Sequence, residues 1–283
     1  MGSEYTEYYY VEVNNVRIKI YDSAKKRKPL VDKPTIILLH GSPGQISNWK
    51  HLIPCLVEQY RVVAIDQRGY GDSTKPEKVS LEDYLEDLKQ VVRKLGLRSD
   101  EIVLVGHSFG GLVAQEYASR HRVLGLVLIG SLTRLKPDLL DWIIWHTPPL
   151  FWRKLFFTEN PLTRRIYRRI FFSEKTPDHV YEEFIRDNKE YLENLPPHVF
   201  RYLKYFKDYD ASKNAPRIEA PTLIIVGSED KVTPVEESKK LNELIRNSKL
   251  IVIEDAGHMI LYEKPRELCN YIIGFINELL EKK

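Results

Sequence analysis

A serine inside the pentapeptide GHSFG at 106–110 is the residue of this chain with the clearest capacity for nucleophilic chemistry. The apolar run IVLV precedes the pentapeptide, and a helix-like pattern follows it over Leu112–Ser119. Where a strand turns sharply into a helix, the turn lifts the serine hydroxyl above the sheet and presents it to a substrate. Gly106 and Gly110 supply the room, because side chains there would collide with the incoming helix or a neighbouring strand. The pattern therefore predicts that Ser108 is a catalytic nucleophile.

A serine hydroxyl is a weak nucleophile, so it needs a base within hydrogen-bond reach and a third group that orients the base. Two candidates follow the ends of later apolar runs: Asp230 follows Leu223–Val226, and His258 follows Leu250–Ile253. Loops at the carboxyl ends of the strands of an open parallel sheet share one rim. We therefore expect Ser108, Asp230 and His258 to converge there as nucleophile, orienting acid and base.

Other residues compete for the roles of acid and base. Glu229 would point away from Asp230 in an extended segment, and Asp255 precedes His258 so closely that it is better placed to brace its own loop. Both stay open as alternatives to Asp230. A helix cap is the alternative role for His258, and the remaining seven histidines are interpreted as structural.

Acyl transfer also needs hydrogen-bond donors for the oxyanion of its tetrahedral intermediate. The amide of Phe109 begins a helix, where backbone N–H groups lack acceptors within the helix. The loop HGSPG at 40–44 follows the apolar run Thr35–Leu39, and its two glycines and proline fix an unusual backbone. We predict that the amides of Ser42 and Phe109 form the oxyanion hole, with an ordinary tight turn as the alternative for loop 40–44.

These residues are spaced along an alternation of strands and helices. Apolar runs typical of strands buried on both faces lie at Thr35–Leu39, Arg61–Ile65, Ile102–Val105, Val123–Ile129, Leu223–Val226 and Leu250–Ile253. Helix-period segments lie between them at about 47–58, 81–95, 109–120, 234–246 and 264–281. Ahead of them, two alternating strands are joined by Asn14-Asn15, which suit a tight hairpin. The order predicts an α/β fold with a mostly parallel sheet and helices on both faces.

The alternation stops after Ser131 and resumes near Pro216. We predict a core domain formed by residues 1–130 and 217–283, with a helical cap formed by residues 131–216. The cap segment holds 17 of the 31 aromatic residues, and this much aromatic surface favours an apolar roof over a substrate pocket. Extra helices that merely thicken the domain are the alternative. Six aromatics crowd into sixteen positions of the segment: Trp142, Trp145, Phe151, Trp152, Phe156 and Phe157.

Composition narrows the classes of function. The chain has 283 residues, and 43 Lys and Arg against 40 Asp and Glu give a net charge of +3 with both signs interspersed, so it lacks the basic field of a nucleic-acid-binding protein. No apolar run approaches the ~18 residues of a membrane span, and the first residues lack the pattern of an export signal. We expect a cytoplasmic monomer or homodimer that acts on a small molecule.

The sequence gives no sign of a metal or redox centre. Cys55 and Cys269 lie in helix-like apolar patterns without the paired spacing of a zinc or redox motif, and we expect them to be free, buried thiols. No group of His, Asp and Glu has metal-ligand spacing. Because a nucleophile, a base and oxyanion donors cover every step of acyl transfer, we expect neither a metal nor an organic cofactor.

Taken together, these motifs resemble those of the α/β-hydrolase family, in the lidded branch with an HG-x-P-G oxyanion loop. The resemblance runs nearly end to end, through HGSPG at 40–44, DQRGYGDS at 66–73, GHSFGG at 106–111, GSED at 227–230 and AGH at 256–258. It implies an eight-stranded, mostly parallel sheet, a triad of Ser108, His258 and Asp230, and a helical cap inserted after the sixth strand. It also implies that segment 66–73 is a structural turn.

The same resemblance narrows the substrate. A serine at position 108 departs from the epoxide hydrolases and haloalkane dehalogenases of this branch, which use a carboxylate nucleophile. GHSFGG is common among carboxylesterases, lipases and lactonases, so we expect a carboxylesterase that cleaves esters of apolar, uncharged acyl groups through a Ser108 acyl-enzyme. Alternatives are a prolyl iminopeptidase type of peptidase, a carbon–carbon bond hydrolase and a non-catalytic ligand-binding member. Prolyl iminopeptidases usually have tryptophan or tyrosine at the position of Phe109, and carbon–carbon bond hydrolases usually have tryptophan at the position of Met259.

Overall fold

The computed structural model describes residues 7–26, 33–135 and 160–282. These residues contain eight strands: β1 (Tyr8–Val13), β2 (Val16–Asp22), β3 (Thr35–Leu39), β4 (Arg61–Ile65), β5 (Ile102–His107), β6 (Gly125–Ile129), β7 (Thr222–Gly227) and β8 (Ser248–Ile253). They form one sheet in the order β1-β2-β4-β3-β5-β6-β7-β8. Strand β2 pairs antiparallel with both β1 and β4, and all other pairs are parallel. The predicted eight-stranded, mostly parallel sheet is confirmed.

Helices cover both faces of this sheet. They are α1 (Ile53–Leu56), α2 (Leu81–Lys94), α3 (Phe109–Arg120), α4 (Pro161–Phe171), α5 (Asp178–Asn194), α6 (Val235–Leu244), α7 (Ile260–Glu263) and α8 (Pro265–Glu281). Because side chains alternate along a strand, Ile37 and Leu39 of β3 pack with α2 and α3, whereas Ile36 and Leu38 pack with α1 and α8. The continuous apolar run of β3 thus reflects burial on two sides.

Two local features follow directly from residue type. Asn14 and Asn15 take positive φ values of 43° and 65° at the turn between β1 and β2, as the hairpin prediction requires. The helix expected over 47–58 is instead a 3-10 turn over Ile46–Trp49 followed by the short α1. Pro54 explains the break, because proline lacks an N–H and fits only the first turn of a helix.

The expectation of two free thiols is wrong, because Cys55 of α1 and Cys269 of α8 form a disulfide. Both helices pack on the same face of the sheet, where Leu56 and Ile272 share one apolar cluster. The two cysteines are 214 residues apart in the chain, so no local spacing reveals their proximity. A bridge that closes so long a loop restricts the unfolded chain and thereby stabilises the fold.

Between β6 and β7, the described residues form α4, α5 and a ten-residue 3-10 helix over Pro197–Phe206, and an isolated bridge pairs Arg134 with Asp210. The six clustered aromatics of 142–157 lie outside the described residues, and the cap over 131–216 stays a prediction. Within the described ranges, no helix is both long enough and apolar enough to cross a membrane.

Candidate active site

Ser108 lies between β5 and α3, at the turn that the sequence predicts. Its backbone has φ 51° and ψ −118°, a conformation that a residue with a Cβ rarely adopts. Its N–H donates to the carbonyl of Ile129 at 2.9 Å, and its own carbonyl accepts from Gly111 N at 2.9 Å. These bonds hold the strained turn in place, and strain of this kind concentrates at functional sites.

Small residues around the turn make this conformation possible. A Cβ on Gly106 would lie 2.4 Å from the carbonyl oxygen of Gly110, and one on Gly110 would lie 2.1 Å from that of Leu39. The predicted collisions with the helix and the neighbouring strand are therefore confirmed. Gly41 also lies close to the turn, since a Cβ there would lie 3.1 Å from the Cβ of Ser108.

Asp230 and His258 meet at the rim formed by the ends of β7 and β8. The Oδ2 atom of Asp230 accepts from His258 Nδ1 at 2.9 Å, and both side chains are buried. Burial alone would raise the pKa of the Asp230 carboxyl, but the His258 ring and hydrogen bonds from Thr233 outweigh it and lower that pKa below its ordinary value. An ionised Asp230 thus fixes the proton of His258 on Nδ1 and leaves Nε2 as the hydrogen-bond acceptor.

Thr233 supports the pair of Asp230 and His258, although the sequence alone did not point to it. Its hydroxyl donates to Asp230 Oδ2 at 2.8 Å, and its backbone N–H donates to Asp230 Oδ1 at 2.8 Å. Val232 N also donates to Oδ1, at 2.9 Å. The pattern Asp-Lys-Val-Thr ahead of a helix could have indicated this contact, because aspartate commonly accepts hydrogen bonds from the amides two and three residues later.

The two competing acids lie elsewhere. Asp255 Oδ1 accepts from the Lys175 ammonium group at 2.7 Å, and Glu229 Oε2 accepts from Glu174 N at 3.0 Å. Neither carboxylate has a hydrogen bond to His258 among the described residues.

Two buried histidines near the site have partners that explain their burial. His107 Nε2 lies 3.0 Å from the carbonyl of His258, and His40 Nε2 accepts from Gln67 N at 3.0 Å. Burial lowers the pKa of His40 to about 4 and, with the neighbouring His258 ring, that of His107 to about 3. Both rings are therefore neutral near pH 7, which fits the structural roles predicted for them.

The predicted oxyanion donors belong to residues near Ser108: Phe109 follows it in the chain, and Ser42 lines the same two cavities as Ser108. Within residues 7–26, 33–135 and 160–282, neither the Ser42 amide nor the Phe109 amide donates to another group. The Ser42 hydroxyl lies 2.7 Å from the hydroxyl of the buried Tyr70. The Phe109 ring packs edge-on against Tyr84 and Phe206, with ring centroids 5.1 and 4.9 Å apart. Two free amides on well-packed backbone can act as donors to a developing negative charge.

Tyr191 of α5 connects the helices between β6 and β7 to loop 40–44, which carries one of the predicted oxyanion donors. Its hydroxyl donates to the carbonyl of Gly44 at 2.8 Å and accepts from Gly71 N at 3.4 Å. Nothing local in the sequence indicates this contact, because Tyr191 and Gly44 are 147 positions apart. Through this contact, α5 restrains the loop that carries the Ser42 amide.

We expect Tyr191→Phe to lower kcat by up to about tenfold with little change in KM. The variant removes the hydroxyl that donates to Gly44 and accepts from Gly71. Loss of the shorter of these partly buried hydrogen bonds is worth roughly 1 kcal/mol and frees loop 40–44 without altering the contacts of the substrate. Steady-state kinetics on a soluble ester measure both constants. Tyr205→Phe is the matched control, since Tyr205 is 45% exposed. A loss of thermal stability in Tyr191→Phe without a change in kcat would show that the contact is only structural.

Ser108 lies at the junction of two cavities. The apolar cavity, of about 290 Å³, is bounded by Gly41, His258 and Met259 and by residues of α4 and α5 that include Ile166, Phe171, Phe184 and Leu192. The second cavity, of about 370 Å³, is bounded by Leu112, Leu132, Leu203 and Phe206 and carries two charged residues, Arg134 and Glu237. Ser42, Ser108 and Val232 line both.

The charges of the second cavity are already paired. Arg134 forms an ion pair with Asp210 at 2.7 Å, and Glu237 forms one with Lys240 at 2.8 Å. Among the described residues, no group of three or more His, Cys, Asp and Glu side chains could hold a metal ion. The site thus combines a serine, a histidine paired with a carboxylate, two cavities, and two amides that donate to no other group within the described part of the chain.

Known proteins share this architecture. A sequence model described as the alpha/beta hydrolase fold matches residues 34–265. The chain is 24% identical to epoxide hydrolase 1 of Caenorhabditis elegans, over 95% of this chain and 70% of that protein. It is 28% identical to a proline iminopeptidase of Saccharolobus solfataricus, over 86% of this chain and 85% of that protein. An esterase from Thermogutta terrifontis has a similar fold, with a TM-score of 0.80 and 23% identity, covering 97% of this chain and 99% of that one.

Proposed function

The chain belongs to the α/β-hydrolase fold family, and we propose that it is a serine hydrolase that cleaves carboxylic esters. The observation that carries the proposal is the position of Ser108, on a strained turn between two cavities, on the same rim as the hydrogen-bonded pair of His258 and Asp230. A protein that only bound a ligand would have no need of this combination.

The reaction follows from these groups. Ser108 Oγ attacks the ester carbonyl carbon while its proton passes to His258 Nε2, and the carbonyl oxygen becomes an oxyanion held by the amides of Ser42 and Phe109. The C–O bond to the alcohol then breaks, and the leaving oxygen takes the proton from His258. Water, deprotonated by the same histidine, attacks the acyl-enzyme and releases the acid and free Ser108.

Ser108 distinguishes the proposed ester hydrolysis from the activity of epoxide hydrolase 1, one of the relatives named above. An alkyl-enzyme ester of the epoxide-hydrolase type needs a carboxylate at position 108, and this chain has a serine. A peptidase of the prolyl iminopeptidase type and a carbon–carbon bond hydrolase use the same catalytic groups, so substrate preference decides between them and an esterase.

The two cavities indicate an ester with sizeable groups on both sides of the scissile bond. We assign the acyl group to the apolar cavity, whose walls from α4 and α5 belong to the proposed cap. We assign the alcohol to the second cavity, where Arg134 and Glu237 tolerate polar substituents. Because the charges there are paired, neither residue calls for a charged substrate.

We expect kcat/KM for p-nitrophenyl esters to rise from acetate to a short or medium chain and then to fall. Each methylene that enters the apolar cavity contributes up to ~0.8 kcal/mol until the cavity is full. Ile166→Trp should move the optimum to shorter acyl chains, because Ile166 lines this cavity. Leu203→Trp is the matched control: Leu203 lines the second cavity, so this variant should discriminate against bulky alcohols and keep the acyl optimum.

Two results would contradict the proposal. A flat chain-length profile in the wild type would show that the apolar cavity does not hold the acyl group. Faster turnover of proline arylamides or of a carbon–carbon substrate than of any ester or lactone would replace the proposed activity with one of the alternatives.

A further inference from the structure

Three exposed apolar side chains lie on α4 and on the loop that a hydrogen bond joins to it. Leu162 and Ile170 of α4 are 54% and 39% exposed, and Val232, in the loop after β7, is 39% exposed. Ile170 and Val232 also line the apolar cavity. Lys231 Nζ donates to the carbonyl of Arg169 at 3.2 Å and joins the loop to α4. Together with two exposed arginines of α4, these residues form one surface, which we call the α4 patch: Leu162, Arg165, Arg169, Ile170, Lys231 and Val232.

Part of the positive charge of the patch has no ion-pair partner among residues 7–26, 33–135 and 160–282. Helix α4 has four arginines and no acidic residue. Arg164 pairs with Glu182, and Arg168 lies 3.5 Å from Asp178. Arg165 and Arg169 are exposed and form no ion pair within the described part of the chain.

Lys231 adds little to this charge, since it lies 3.8 Å from the exposed Glu174. The unpaired charge of the patch is therefore that of Arg165 and Arg169.

Helix geometry places these residues on an outer face. Positions 162, 165 and 169 are three and four apart, a spacing that aligns side chains along one side of a helix. Thr163, Ile166 and Tyr167 of the same helix line the apolar cavity. One face of α4 thus lines the cavity, and a second face, which carries Leu162, Arg165 and Arg169, is exposed to solvent.

We propose that the α4 patch binds the surface of an anionic phospholipid bilayer. Aliphatic side chains flanked by arginines are the composition of helices that lie in the bilayer interface, where the arginines contact phosphate and the apolar side chains enter the acyl boundary. Ile170 and Val232 belong both to the patch and to the wall of the apolar cavity, so we expect an acyl chain to pass from the bilayer into the cavity along apolar side chains. Delivery of a lipid ester to Ser108 rests on the proposed function, whereas binding to the bilayer does not.

Co-sedimentation with vesicles tests the proposal with the full chain. The Ser108→Ala variant is used so that lipid is not hydrolysed, with vesicles of phosphatidylcholine alone or with a minority of phosphatidylglycerol. We expect binding to the mixed vesicles, weakened by salt, and little binding to phosphatidylcholine alone. Arg165→Gln with Arg169→Gln should weaken it roughly 25-fold, about fivefold for each charge. Leu162→Ser should weaken it by a smaller factor.

Arg93→Gln with Arg246→Gln is the matched control, because it removes the same charge from exposed sites on other parts of the fold. None of the substituted side chains lines either cavity beside Ser108, so turnover of a soluble ester by the same variants in the wild-type background should be unchanged. Equal weakening by the control pair, equal binding to both kinds of vesicle, or no binding at low salt would each overturn the proposal. Loss of ester turnover in Ser108→Ala alone bears only on the proposed function.

Discussion

Replacement of Ser108 by alanine is expected to lower kcat for ester hydrolysis by roughly 10⁴-fold or more, because the members of a triad act as a unit. The variant loses the only side chain of the turn that lines both cavities. The variant should retain the fold around the turn, because residue 108 makes its hydrogen bonds with Ile129 and Gly111 through backbone atoms. Steady-state kinetics on the best p-nitrophenyl ester measure the effect.

Covalent labelling supplies the complementary observation. An organophosphonate probe should form a single adduct on the wild type, located by mass spectrometry on the peptide that contains Ser108, and none on Ser108→Ala. An unchanged melting temperature of the variant would show that the loss of activity is chemical. An adduct on another residue, or residual activity within tenfold of wild type, would remove Ser108 from the role of nucleophile.

The parts of the site that could be predicted from sequence are those fixed by local rules. The turn at Ser108 follows from glycines beside the serine, where the structure has no room for a Cβ. The meeting of Asp230 with His258 follows from strand polarity: β7 and β8 are adjacent and parallel, so the loops after them lie at one rim. The positions and directions of the two strands, together with the residues that follow them, are therefore sufficient to predict that Asp230 and His258 meet.

Other features depend on contacts between distant segments and have no local signal. Cys55 and Cys269 pair because α1 and α8 pack on the same face, although 214 residues separate them. Tyr191 reaches loop 40–44 only because the chain folds α5 against this loop, 147 positions away. The second cavity forms where α3, the 3-10 helix over Pro197–Phe206 and the segment after β6 meet, and composition shows none of this.

Substitution of Asp230 by asparagine is expected to lower kcat by about 10⁴-fold without unfolding the protein. Asparagine keeps an oxygen that can accept from the amides of Val232 and Thr233, as Asp230 Oδ1 does at 2.9 and 2.8 Å. Its amide nitrogen would replace Oδ2, which accepts from His258 Nδ1 at 2.9 Å. A donor there favours the tautomer with the proton on Nε2, and that tautomer cannot accept the proton of Ser108.

Asp255→Asn is the matched control, because it makes the same change of side chain three positions from His258. Asp255 pairs with Lys175 on the surface, at 2.7 Å and with 40% of its own side chain exposed, so its substitution should leave kcat/KM near the wild-type value. Both variants are compared with wild type on one ester across a range of pH, with melting temperatures as the check on folding. If Asp255→Asn abolishes activity and Asp230→Asn does not, the orienting acid is Asp255, and the hydrogen bond between Asp230 and His258 serves only the fold.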